Sequence, residues 1–418
     1  MFSICLPRST NFSSAAGHCA GVVRLAAVLF LCLELMAQRK GRRYPAGIDG
    51  AGNSLTVVEV SYPKRAPNNA RCLPGTEYVL EKAHDGRVVS AETVVRLCQT
   101  EDQAEITVSV EPNRIEVNRN GGTQAGYFKI HAYQLSPWRP VSMDDCSFYG
   151  SGEHTLEQWD FLTLRGEAWY RSAEGEEVGI CEASATLPRY LIVPSVAADA
   201  AELEKGRGRL GSCAMSLDSS GKHGFVTWGK PDPRDPLEVK LLQAGKGVLL
   251  AQVVDAGRTT APARSWVMAD HLEVWMGSRL EGAGEDEVWQ FGIPLDEGPV
   301  QVGYGKPRRL PVVRRWKANL PDGRAATLLR VELPPQPNQY SDGLTVSYSQ
   351  GEQGRAQKRM IATSRVKRGV GSTMGRSGSV LIHNSVDDHV TCGLVNGALE
   401  ITGAKKKPLV VPEFPVNR

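Results

Sequence analysis

The sequence predicts an all-β protein with two β-rich domains, the C-terminal one an antiparallel, jelly-roll-like β-sandwich. Three observations carry that reading. Short runs rich in Val, Ile, Thr and aromatic residues recur along the chain, as at Leu55–Val60, Glu105–Val110 and Val248–Val254. Turn signals such as Asp85-Gly86 and Asn120-Gly-Gly122 separate them. One stretch alone, Ala197 to Lys205, has strong helical propensity, and Gly206, Gly208 and Gly211 follow it.

The chain divides accordingly. Residues 1–38 have the build of a signal peptide: Arg8 and Arg24 precede the apolar run Leu25–Leu33, which is too short to span a bilayer. Residues 39–200 form an N-terminal β-rich domain with strands expected at Leu55–Val60, Arg87–Val89, Thr93–Leu97, Glu105–Val110, Arg114–Val117, Tyr127–Ile130, Phe161–Leu164, Glu167–Tyr170, Val178–Cys181 and Tyr190–Val193. Residues 201–404 form the sandwich, and 405–418 are a basic, Pro-containing tail. With 41% hydrophobic and 23% charged residues, 418 residues suffice for two sizeable cores. A formal net charge of +3 argues against a nucleic-acid partner. Membrane contact is expected only through the leader.

Removing residues 1–38 leaves Cys72, Cys98, Cys146, Cys181, Cys213 and Cys392. An even, widely spaced set without a C-x-x-C pair suits disulfides and a periplasmic or extracellular location. The local pairs would be Cys72 with Cys98 and Cys146 with Cys181, leaving Cys213 and Cys392; spacing does not fix the connectivity.

The chemistry gathers in the second domain. The buried run Val248-Leu-Leu-Ala-Gln-Val-Val254 ends on Asp255, and a polar loop leads to His271-Leu-Glu-Val-Trp-Met276. Alternation places Leu272, Val274 and Met276 on one face and His271, Glu273 and Trp275 on the other. In Glu287-Val-Trp-Gln-Phe-Gly-Ile293 the residues Trp289, Phe291 and Ile293 share a face, and Gln290 points away. If the apolar faces meet, Glu273, Trp275 and Gln290 lie together outside. A ring for C–H faces, with a carboxylate and an amide for hydroxyls, suits a sugar. Trp266 and Arg264 on the preceding loop are further candidate contacts. Core packing is the competing role for both tryptophans.

These segments, with Ala325–Pro334, Gly343–Ser349 and Arg359–Ser364, resemble family-9 carbohydrate-binding modules and, more broadly, DOMON-like sandwich domains that bind sugars or haem. The similarity spans roughly residues 210 to 400. It implies a non-catalytic module that binds a glycan through Arg264, Trp266, Glu273, Trp275 and Gln290. It allows calcium at Asp255 and Asp270, where Asp270 could instead order the loop, and no other cofactor is expected. Haem would need ligation by His271 with Met268 or Met276, since no C-x-x-C-H is present. The alternative is a cell-envelope structural or assembly protein whose sandwich binds another protein.

Other motifs point away from catalysis. Gly206-Arg-Gly-Arg-Leu-Gly211 fits G-x-G-x-x-G by letter, but no strand precedes it and no helix is expected after it, so it lacks the context for a pyrophosphate. Neither G-x-S-x-G nor H-E-x-x-H occurs. Asp270 and Glu273 fall on opposite faces of one strand, unlike two carboxylates that flank a scissile bond. His383 and His389, close to Asp387, Asp388 and Cys392, offer metal-ligating groups, and a plain turn with solvated polar groups is the expected reading ahead of a metal site.

Export is directly testable. Mass spectrometry of the secreted protein should show about 37 N-terminal residues missing, the length of a signal peptide; retention of Met1 would refute it.

Overall fold

The computed structural model describes residues 41–62, 75–98, 105–121, 126–148, 154–171, 189–196, 203, 208–234, 237–245, 247–255, 266–277, 286–335, 343–352, 355–364, 390–404 and 409–410. The described residues are almost all strand, in antiparallel sheets, as expected. The chain separates into one compact unit of residues 1–99 with 408–418 and a second of residues 100–407.

In the first unit, Arg42–Ile48, Ser54–Tyr62, Gly75–His84 and Arg87–Cys98 form a meander, and Leu409–Val410 pairs parallel to the last strand. The Asp85-Gly86 turn joins the two longest of these strands with φ of 48° and 75°. Positive φ at both positions matches the twist of a two-residue hairpin, which is why Asp-Gly marks it.

The second unit opens with a seven-stranded meander running from Glu105–Glu111 through to Arg189–Ile192. One expected strand is a correction. Residues 161–164 form a turn, because the Asp160 carboxylate accepts the Leu162 N–H at 2.9 Å and the Thr163 hydroxyl at 2.8 Å. Such Asx bonding competes with ladder formation. Val178–Cys181 and most of Ala197–Lys205, including the expected boundary near residue 200, lie outside the described residues.

Next comes a two-layer sandwich. One layer contains Glu238–Ala244, Val248–Val254, Ala325–Glu332 and Val312–Asn319 as antiparallel neighbours. The other has six strands in the order Phe225–Trp228, Arg355–Ala362, Gly343–Glu352, His271–Gly277, Val288–Pro294 and Gln301–Tyr304. Val239, Leu241, Leu249, Ala251, Val253 and Leu329 on the first layer share a core with Leu272, Val274, Met276, Phe291, Ile293 and Tyr348 on the second.

The reverse face of the first layer is covered too. Leu242, Ala244 and Leu250 pack with Trp159, Phe161, Ile192 and Leu399 in a separate core. Burial on both sides explains why Val248–Val254 is nearly continuous in apolar residues rather than alternating. Among the described residues no helix is long and apolar enough to cross a membrane.

Cys213 and Cys392 are bonded, closing 179 residues of chain within that second core. Cys146 is disulfide-bonded as well. Cys72, Cys181 and the Cys98 side chain lie outside the described set. Replacing Cys213 and Cys392 together by Ala should lower stability by about 2–5 kcal/mol, since the cross-link restricts a long unfolded loop. Denaturant unfolding checks this; an unchanged midpoint would show that the bond adds no stability.

Candidate functional site

The site is built on the outer face of the six-stranded sheet. On the His271–Gly277 strand, His271, Glu273 and Trp275 project away from the shared core, as alternation predicts. Trp275 lies opposite Gln290 and Thr345, Glu273 opposite Gly292 and Ser347, and His271 opposite Pro294 and Ser349. Gln290 is in turn opposite Tyr304. The expected grouping of Glu273, Trp275 and Gln290 on one outer face is therefore present.

That face is not open, however. Glu273 is 4% exposed, Trp275 3% and His271 0%. The Trp275 ring packs on Val288 and lies 6.4 Å from Tyr304, so it is not an exposed stacking platform. Trp266, on the short 3₁₀ turn Trp266–Met268, is half-buried and stands edge-on to His271 at 4.7 Å. Its ring lies directly on Gly292, where a Cβ would come within 2.2 Å of the indole. Only glycine allows so close an approach there. The residues that reach solvent are Trp266, Gln290, Tyr304 and Gln357, each half-buried.

Glu273 is the hub. Its Oε1 accepts from His271 Nε2 at 3.2 Å and Gln357 Nε2 at 3.4 Å, and its Oε2 accepts from Gln290 Nε2 at 2.8 Å. His271 Nδ1 faces the Ala269 carbonyl at 2.7 Å. Both ring nitrogens thus face oxygen atoms. Burial pushes the Glu273 carboxyl up, but the hydrogen bond and charge of His271, aided by Gln290 and Trp275, hold it below its usual value. The Trp275 indole N–H leans toward this carboxylate without completing a hydrogen bond.

The other candidates have different surroundings. Asp255 accepts from the Tyr348 hydroxyl at 2.6 Å and Gln350 Nε2 at 2.9 Å. Asp270 accepts the Gly351 N–H at 2.7 Å and is 3% exposed, which ties the Trp266 turn to the adjacent strand. No group of three metal-ligating side chains occurs among the described residues, and protein donors engage both carboxylates. Haem ligation by His271 does not fit, because both its nitrogens are engaged and Met276 belongs to the opposite core. In the G-x-G-x-x-G segment, Arg209–Leu210 is a strand and a turn follows Gly211, so no helix N-terminus forms there. Arg264, His383 and His389 lie outside the described residues.

Sequence reasoning missed His271 as an ion-pair partner and did not single out Tyr304 or Gln357. Tyr304 ends the Gln301–Tyr304 strand, and only the register reveals its place opposite Gln290. Gln357 carries no local signal at all.

No protein-family model and no curated protein matches this sequence. Two solved structures of a family-9 carbohydrate-binding module from Caldicellulosiruptor kristjanssonii, one with cellotriose and one with glucose, are similar at 13% identity and a TM-score of 0.23. They cover 32% and 33% of this chain and 67% and 74% of their own. The reading of the site rests on its own residues.

A carboxyl held below its ordinary value stabilises the fold above its unfolded value, near 4.3, and loses that contribution as pH falls through the folded value. Glu273→Gln should therefore cost about 2–3 kcal/mol near neutrality, and the gap to wild type should narrow below about pH 4. Denaturant titrations across that range check it; a gap independent of pH would refute the ion pair.

Proposed function

We propose that this protein binds a glycan without cleaving it, through the rim formed by Trp266, Gln290, Tyr304 and Gln357 above Glu273. One observation carries the reading. Both rim amides donate their N–H groups to the same buried carboxylate, which turns each amide in a defined direction. The half-buried Trp266 ring supplies an apolar surface for sugar C–H groups. Glu273 orients this rim rather than attacking a bond: its oxygens are engaged by His271, Gln290 and Gln357. Export to an oxidising compartment belongs to the same proposal, and the Cys213–Cys392 bond supports it.

A second reading has its own observation. Val302, Leu310 and Val312 are 41%, 50% and 57% exposed along one segment of the sandwich. Exposed apolar residues so close in sequence suit a cell-envelope protein partner.

A glycan array followed by calorimetric titration separates the two. Trp266→Ala should weaken binding by about 1–3 kcal/mol, and Gln290→Ala by about 1 kcal/mol. Trp275→Ala should instead lower stability by about 3–5 kcal/mol, as for a packed aromatic residue. An array with no ligand, or a folded Trp266→Ala variant with undiminished affinity, would leave the protein-partner reading in front.

A further inference from the structure

Gln252 is the single polar residue in Val248–Val254, a strand covered on both faces, and it is 2% exposed. A buried amide normally has both ends matched. Here Oε1 accepts the Leu210 N–H at 2.9 Å, while Nε2 meets no acceptor among the described residues. The nitrogen is not sealed off, because Gln252 lines a cleft of about 570 Å³ on the side of this sheet facing away from Glu273.

The charged walls of this cleft are unequally engaged. Arg324 is fully committed, pairing with Asp322 at 2.7 Å and Glu238 at 3.2 Å. Glu400 accepts the Ser212 N–H at 3.0 Å through Oε2. Its Oε1 lies against Gly211, where a Cβ would come within 2.1 Å. The donors are less occupied. Lys240 reaches Glu238 only at 3.8 Å, and Lys240 and Arg209 both act on the Glu400 carboxylate through their charge. With Gln252 Nε2 they leave donors on the cleft wall for a ligand that brings acceptors of its own. Leu162, 45% exposed, joins Leu320 and Pro321 as apolar wall. The volume falls within the range of small-molecule sites.

We propose that this cleft binds a small hydroxylated carboxylate of the sugar-acid class. Its carboxylate sits between Arg209 and Lys240, and a ring or hydroxyl oxygen accepts from Gln252 Nε2. Charge-assisted bonds to guanidinium and ammonium give the acid its preference over the neutral sugar. The site shares no residue with the rim above Glu273 and stands or falls separately from it.

The test is calorimetric titration of the full chain with sodium galacturonate and with galactose, each variant being checked by thermal unfolding. Galacturonate should bind, with galactose at least about tenfold weaker. Arg209→Gln and Lys240→Gln should each weaken galacturonate by about tenfold, and Lys240→Gln decides the matter if the Arg209 variant does not fold. No galacturonate binding, equal binding of galactose, or wild-type affinity in the folded Lys240→Gln variant would overturn the proposal. So would galacturonate affinity that falls with Glu273→Gln but not with Arg209→Gln, which would put the anion at the other site.

Discussion

The sheet that contains Val248–Val254 is covered on both faces, and most of the second unit follows from that. A strand buried on two sides cannot alternate polar and apolar residues, so its sequence becomes a nearly unbroken apolar run. One face holds the six-stranded layer through Leu249, Ala251 and Val253, and the other holds Ile192, Trp159 and Leu399 through Leu250. With this layer in the middle, the outer face of the six-stranded sheet is the place left for Glu273. The Cys213–Cys392 bond falls within the second core, where it joins segments distant in sequence to the same layer.

Placing a carboxylate in such surroundings is costly unless its charge and lone pairs are met. Glu273 meets that condition with a fully buried histidine and two amides. The arrangement resembles support more than reactivity. A carboxyl kept ionised by three donors is a poor proton donor, and its oxygens are already turned inward. The same bonds fix Gln290 and Gln357, so order passes from the buried ion pair to the half-buried rim. Trp266 closes the other side, held by its contact with Gly292 and by Asp270 at the end of its turn.

How much of this was legible in the sequence depends on whether the signal is local. The faces of His271–Gly277 and Val288–Pro294 were legible, because alternation needs only the strand itself. Placing Glu273, Trp275 and Gln290 together needed one further step, the meeting of two apolar faces, and that step was sound. Burial of the outer face was not legible. It depends on a ring arriving from the Trp266 turn, on Tyr304 falling opposite Gln290, and on Gln357 from a strand more than 80 residues away, at a sequence separation of 84 from Glu273. The error at Phe161–Leu164 has a local cause. Four residues rich in Leu, Phe and Thr read as strand, while the Asp160 side chain caps a turn. Turn chemistry outweighed propensity there.

The two polar centres differ in a way that composition alone would hide. Each contains a carboxylate, a nitrogen base and an amide, and each borders a hydrophobic core. Around Glu273 three donors meet the carboxylate, and the consequence is the orientation of the rim. Around Gln252 the amide is met at its oxygen alone. The Leu210 N–H takes the amide oxygen, Arg324 takes the nearby Asp322 and Glu238, and the nitrogen of Gln252 is left facing the cleft. An oxygen-rich ligand meets that nitrogen on binding, whereas a hydrophobic one does not. Specificity for acceptors is then a property of the strand itself, set by one glutamine among six apolar neighbours.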